Sequence, residues 1–122
     1  MGQYYKIVNL DKKEFLDPDV FGEGIKLMEF AWEGKTLRGL TFLLRKSEPY
    51  YSLGDMHFPD TCKNKKDYWS KWIGRWTNNR IAIVGDYDPS GIYQKCNEDT
   101  QEYEDISATV IQMLKDAVEW ED

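Results

Sequence analysis

The apolar residues of this chain follow one period up to residue 16 and another from residue 25, and that switch restricts the fold more than any other feature. Residues 3–10, Gln-Tyr-Tyr-Lys-Ile-Val-Asn-Leu, are rich in β-branched and aromatic side chains and predict a strand. Asp11-Lys12-Lys13 supplies a polar turn. Glu14-Phe15-Leu16 returns as a short second strand, ended by Asp17-Pro18 because proline cannot donate to a ladder. From Ile25 the pattern is helical, with Ile25, Met28 and Trp32 on one stripe and Gly34 as a C-terminal stop. Thr36 is placed to cap a second helix whose stripe is Leu37, Leu40, Leu43 and Leu44, although the run 40–44 also fits a buried strand.

Residues 46–66, with Pro49, Gly54 and Pro59 amid scattered charge, predict a long loop. Residues 72–76 and 80–87 predict two strands joined at Asn78-Asn79, since asparagine tolerates the left-handed conformation of tight hairpins. That alternation places Trp72, Gly74 and Trp76 on one face, with at least one indole mostly buried, and leaves Arg75 outward. Asp88-Pro89-Ser90-Gly91 fits a type I turn, after which Ile92-Tyr93-Gln94 extends the meander. Ser107 caps a last helix running to Glu119, with Val110, Leu114 and Ala117 on its buried side. The expected fold is α+β, a small antiparallel sheet of four or five strands packed against two or three helices, in one domain spanning 1–122.

With 41% hydrophobic and 15% aromatic residues, 122 residues can bury a core without staples. Cys62 and Cys96 make no disulfide framework and are expected as reduced thiols in a cytoplasmic protein. No apolar run approaches a membrane span. The start of the chain has neither a signal-peptide pattern nor, with Lys6 where Ser or Thr is needed, a myristoylation pattern.

The net charge of −6 opposes non-specific binding to nucleic acid and to anionic membranes. It is unevenly spread. Residues 62–80 carry Lys63, Lys65, Lys66, Lys71, Arg75 and Arg80 against Asp67 alone. Residues 98–122 carry Glu98, Asp99, Glu102, Glu104, Asp105, Asp116, Glu119, Glu121 and Asp122 against Lys115 alone. The two segments either face each other within the fold or face different partners.

Three constellations carry candidate chemistry. Asp86-Tyr87-Asp88-Pro89-Ser90-Gly91 matches the opening of a calcium loop, but its twelfth position is Asn97 where a bidentate Glu belongs, and a plain hairpin turn accounts for it better. Asp55, His57, Asp60 and Cys62 mix metal-ligand types at a spacing that fits no zinc pattern, so neither a metal nor another cofactor is expected. Tyr68, Trp69, Trp72 and Trp76 interleave with Lys66, Lys71, Arg75 and Arg80, a mixture suited to base stacking or to a protein interface. The competing explanation places Trp72 and Trp76 in the core and the cations in water. One histidine and no nucleophile or phosphate-loop motif give catalysis little support.

The blocks Met1-Gly2-Gln3-Tyr4-Tyr5, residues 9–15 (Asn-Leu-Asp-Lys-Lys-Glu-Phe), residues 21–30 (Phe-Gly-Glu-Gly-Ile-Lys-Leu-Met-Glu-Phe), Ile73-Gly74-Arg75-Trp76 and residues 80–88 from Arg80-Ile81 to Gly85-Asp86-Tyr87-Asp88 resemble a family of small bacterial and phage proteins of uncharacterised function. In that family an Ala-Gly-Asp segment commonly follows the tryptophan, where this chain has Thr77-Asn78-Asn79. The resemblance implies a compact cytoplasmic protein and carries no activity with it.

The leading expectation is a non-catalytic interaction protein with a protein partner. One form of it is a phage- or mobile-element-encoded inhibitor that holds carboxylates where a host nucleic-acid enzyme expects phosphates. The expected contact residues are Glu98, Asp99, Glu102, Glu104, Asp105, Trp69 and Arg75. The alternative is a small-ligand- or metal-dependent binding protein or enzyme using Asp86 and Asp88 at the end of the most strand-like segment.

Overall fold

Strand alternation at the N-terminus separates two buried surfaces, and the rest of the chain divides between them. In the computed structural model, which describes residues 3–31, 34–46, 58–59, 61–97 and 102–117, β1 (Tyr5–Asn9) and β2 (Glu14–Leu16) form the expected antiparallel hairpin, with Ile7 opposite Leu16 and Asn9 opposite Glu14. Buried Asn9 builds the turn. Its Oδ1 accepts from the backbone of Asp11 and Lys12, and Lys13 adopts a positive φ of 57°.

β3 (Ile81–Gly85) pairs antiparallel with β1 on the other side, and β4 (Glu104–Asp105) runs parallel to β2, giving the order β3-β1-β2-β4. The fold is α+β with a four-stranded sheet, mixed because of β4. Glu and Asp are poor strand formers. Residues 104–106 are recruited by β2, as Glu104 N–H donates to Lys13 C=O at 2.9 Å and Ile106 N–H to Phe15 C=O at 3.1 Å.

Ile7 and Leu16 project from one face into the larger core, beneath α2 (Lys35–Leu44) and α5 (Ser107–Asp116). The helical reading of 40–44 holds, with Phe42 and Leu43 inward. α5 buries Val110, Leu114 and Ala117 as expected, together with Met113. Gly39 of α2 meets α5 closely enough that a Cβ there would sit 2.6 Å from Val110. Lys6, Val8, Phe15 and Val84 face the other way, toward a smaller core closed by Tyr93 and Cys96 of α4 (Ile92–Asn97).

Several local expectations are corrected. α1 (Leu27–Phe30) is one turn long and buries Phe30, while Met28 is 69% exposed; Trp32 lies outside the described residues. Gly34 starts α2 instead of stopping α1. The cap of α2 comes from a distance, as the Glu23 carboxylate accepts from Lys35 N–H at 2.7 Å and Thr36 N–H at 3.1 Å. Ile92-Tyr93-Gln94 is helix, because Gly91 at φ 76° turns the chain and Ser90 Oγ accepts from Ile92 N–H. Asp105, not Ser107, caps α5 by accepting from Ser107 N–H at 2.9 Å. Most of the expected 46–66 loop, and the 118–119 end of the last helix, fall outside the described residues.

Candidate functional site

The segment 64–78 is neither strand nor hairpin. A turn of helix, α3 (Lys65–Asp67), widens into a π-helical turn over Tyr68–Trp72, where Ile73 N–H donates to Tyr68 C=O at 2.9 Å. Gly74 then reverses the chain at φ 79°, where a Cβ would lie 2.7 Å from the Arg45 carbonyl oxygen. The reversed segment docks on the end of α2. Gly74 N–H donates to Phe42 C=O and Trp76 N–H to Leu43 C=O, both at 2.9 Å, satisfying carbonyls that a helix end leaves open. Asn78 takes a positive φ of 66°, as the turn reading requires, but only β3 follows it as strand.

This path sends Trp76 into the core with no exposure, so the expectation of one buried indole holds. Arg75 does not point outward as expected. Its Nε and Nη2 donate to the buried Glu14 carboxylate at 3.0 and 2.7 Å, and Trp76 Nε1 donates to Glu14 Oε1 at 2.9 Å. The hydrogen bonds that Arg75 donates to Glu14 are the main reason its pKa is raised, with burial opposing and the charges of Glu14 and Glu104 adding to it. Glu14 is the residue that sequence reasoning missed. Its signal was present, since strand alternation sets it on the same inward face as Leu16.

With Trp76 committed to the core, Trp69 and Trp72 are left half-buried at the surface. Each carries a guanidinium, Arg45 at 5.6 Å from the Trp69 ring and Arg75 at 5.0 Å from that of Trp72. Phe58 fixes the turn from beneath, stacked on Tyr68 at 5.1 Å and edge-on to Trp69 at 6.0 Å. Between this turn and α5 lies an open groove of about 370 Å³ lined by Asn64, Asp67, Tyr68, Trp72, Ala108, Thr109 and Gln112. A second hollow of about 460 Å³ continues past Asn64 and Gln112 to Thr61, Cys62, Lys63, Lys115 and Asp116.

At the junction of the two hollows the Tyr68 hydroxyl donates to Asp116, which also accepts from Gln112 Nε2 at 3.0 Å. Burial, and then the Asp116 hydrogen bond, push the Tyr68 phenol up to about 12. It is therefore a hydrogen-bond donor at neutral pH and no base. The groove offers the indole of Trp72, the phenol of Tyr68, the carboxylate of Asp67 and the amides of Asn64 and Gln112, groups that suit the peptide and side-chain chemistry of a protein surface.

The 62–80 and 98–122 segments meet at the Tyr68–Asp116 hydrogen bond, while Arg75 pairs with Glu14 and Arg80 with Asp11. Trp69 and Arg75 lie on the same aromatic ledge, whereas the expected acids lie elsewhere. Glu102 is 3.6 Å from Lys13 and 3.7 Å from Lys95. Glu104 and Asp105 are exposed on β4, with Asp105 engaged in its cap. Glu98 and Asp99 lie outside the described residues, as do Asp55, His57 and Asp60. Asp86 Oδ1 accepts from Tyr4 N–H, and Asp88 accepts from the N–H and hydroxyl of Ser90, which lower its pKa. Among the described residues no three His, Cys, Asp or Glu side chains are arranged to hold a metal ion, and no helix is long and apolar enough to cross a membrane.

No family model, no curated protein and no solved structure matches the chain.

Proposed function

We propose that this protein is a non-catalytic interaction module that docks a protein partner in the groove between the Tyr68–Trp72 turn and α5. The observation that carries the reading is the pair of half-buried indoles, each with an arginine over its ring, beside an open groove. Tryptophan and arginine are the residues that most often dominate binding energy at protein interfaces. A cytoplasmic location belongs to this reading and is supported by the free thiols of Cys62 and Cys96.

The narrower form, an inhibitor presenting carboxylates to a nucleic-acid enzyme, is supported by the net charge of −6 and by the exposure of Glu102, Glu104 and Asp105. Lys13 and Lys95 take part of the Glu102 charge, so this form draws less support than the groove does.

The test is capture of partners from host lysate on immobilised protein, followed by titration of the recovered partner against Trp69→Ala and Trp72→Ala. A true hot spot loses about 2 kcal/mol, roughly thirtyfold in affinity, on truncation. Full affinity in both variants, with circular dichroism unchanged, removes the groove from the proposal. Steep loss of binding between low and high salt supports the acidic form, and indifference to salt rejects it.

A further inference from the structure

Resting on the reading of the groove as a protein dock, we infer that its occupant is an extended, acidic segment of the partner, with an apolar side chain on Trp72 and a carboxylate at Lys63 and Lys115. The two hollows share Asn64 and Gln112 in their walls, so they form one trough with Trp72 at one end and the two lysines at the other.

Charge differs between the ends. The Trp72 end carries one ionised group, the exposed Asp67 carboxylate, beside the indole and the small side chains of Ala108 and Thr109. A carboxylate is repelled there, whereas an apolar group gains a half-buried ring to pack on. The other end carries Lys63 and Lys115, both exposed, and a single carboxylate, Asp116. Both Asp116 oxygens are engaged within the fold, Oδ2 by the Tyr68 hydroxyl and Oδ1 by Gln112 Nε2.

The surrounding surface has the same sign. Of the cations in residues 62–80, Arg75 is taken by Glu14 and Arg80 by Asp11. Among the described residues no carboxylate pairs with Lys63, Lys66 or Lys71, and all three are exposed. In a chain of net charge −6 they make a local positive surface, whose complement is an acidic segment. The trough also meets the needs of an extended backbone. Gln112 spends Nε2 on Asp116, and among the described residues its carbonyl oxygen accepts nothing, so it is placed to accept an N–H from a passing peptide. A nucleic-acid strand would find the same indole and lysines, but it would carry a phosphate charge on every nucleotide past Asp67 and Asp116. A peptide sets its carboxylate at the lysines and leaves the Asp67 end neutral.

Heteronuclear NMR of isotope-labelled protein tests this with acetyl-Ala-Leu-Ala-Glu-Ala-amide, whose Leu and Glu side chains share one side of an extended chain, roughly 7 Å apart. The controls replace Glu by Lys, or Leu by Ala, or use octathymidylate instead. The signals read are the Trp72 indole Nε1–H and the side-chain amides of Asn64 and Gln112. The parent peptide should move all of them, with a dissociation constant of roughly 0.1 to 10 mM. The Lys and Ala peptides should each bind at least about threefold more weakly. In the double variant Lys63→Glu with Lys115→Glu, and to a lesser degree in Lys63→Glu alone, the preference for Glu over Lys should vanish or reverse, with circular dichroism checking the fold of each. Equal affinity for the Glu and Lys peptides, a preference that survives in the folded variants, tighter binding of octathymidylate, or silence of these signals up to the solubility of the peptide each overturns the inference. Capture of the partner with Trp72→Ala decides separately whether the groove docks protein at all. A partner lost on that truncation but indifferent to Lys63→Glu leaves the dock standing and removes only the acidic segment.

Discussion

The Glu14 carboxylate takes the Arg75 guanidinium side-on, with Nη2 2.7 Å from Oε2 and Nε 3.0 Å from Oε1, at the inner face of β2. The two partners are unequally buried, Glu14 at 6% side-chain exposure and Arg75 at 34%. Loss of the arginine therefore strands a charge that water cannot reach. Arg75→Ala is expected to cost about 3 kcal/mol in urea denaturation. Glu14→Gln added to that variant should restore part of the loss, because it removes the charge and keeps an oxygen for Trp76 Nε1. A cost below about 0.5 kcal/mol for Arg75→Ala would place the pair among ordinary surface bridges.

Trp76 and Trp72 should separate by stability. Trp76→Ala removes a fully buried indole and should destabilise by about 3–5 kcal/mol. Trp72→Ala, at the groove, should cost under half of that. Equal losses in thermal or urea unfolding would mean that Trp72 is core as well, and the groove would lose its wall.

Alkaline pH should weaken the fold through Tyr68. Its folded pKa of about 12 lies above the 10.0 of an ordinary tyrosine, so the neutral phenol is the form the fold favours. The stabilisation is complete below pH 10 and falls as pH rises from there through 12, since the unfolded chain gives up the proton first. Tyr68→Phe should flatten this part of the stability profile. It should also remove one late step from the tyrosinate absorbance titration. A profile unchanged by the substitution would show that the Asp116 hydrogen bond does not govern that range.

Cys96 should resist alkylation in the native state. Burial on the α4 side of the sheet, reinforced by Asp105 and Asp17 and opposed by Lys6, raises its thiol to about 11. At pH 8 about one thiol in a thousand is then ionised. Native protein treated with iodoacetamide should take one label, at half-buried Cys62, and a second only on unfolding. Two labels at similar rates would contradict this placement.

Where local preference decides the structure, the residues announce it. Ile7, Val8, Phe15, Leu16 and the 81–85 run are strand formers in alternating surroundings, and Val110, Leu114 and Ala117 keep the helical interval. Where a distant group decides, they do not. Gly74 and Asn78 advertise a turn, but the direction of Arg75 and Trp76 depends on Glu14 and on the open carbonyls of Phe42 and Leu43. β4 is invisible for the same reason, as two acids become strand only when β2 offers its edge. The groove inherits this limit. Tyr68 and Trp72 stand out in the sequence, while its far wall of Ala108, Thr109 and Gln112 follows only from how α5 is docked.

The placement of Glu14 also bears on how the chain acquires its shape during synthesis. The β1–β2 hairpin closes over a short turn and can form as soon as it leaves the ribosome, yet its inward carboxylate waits 61 positions for Arg75. β1 waits longer still for β3, and β2 for β4. Pairings so far apart in sequence place such a fold among those that assemble in milliseconds to seconds, after the loop-closure cost of each long-range pairing has been met. Until then the nascent hairpin exposes an apolar face with a negative charge at its turn end, which discourages premature association with other nascent hairpins through that face.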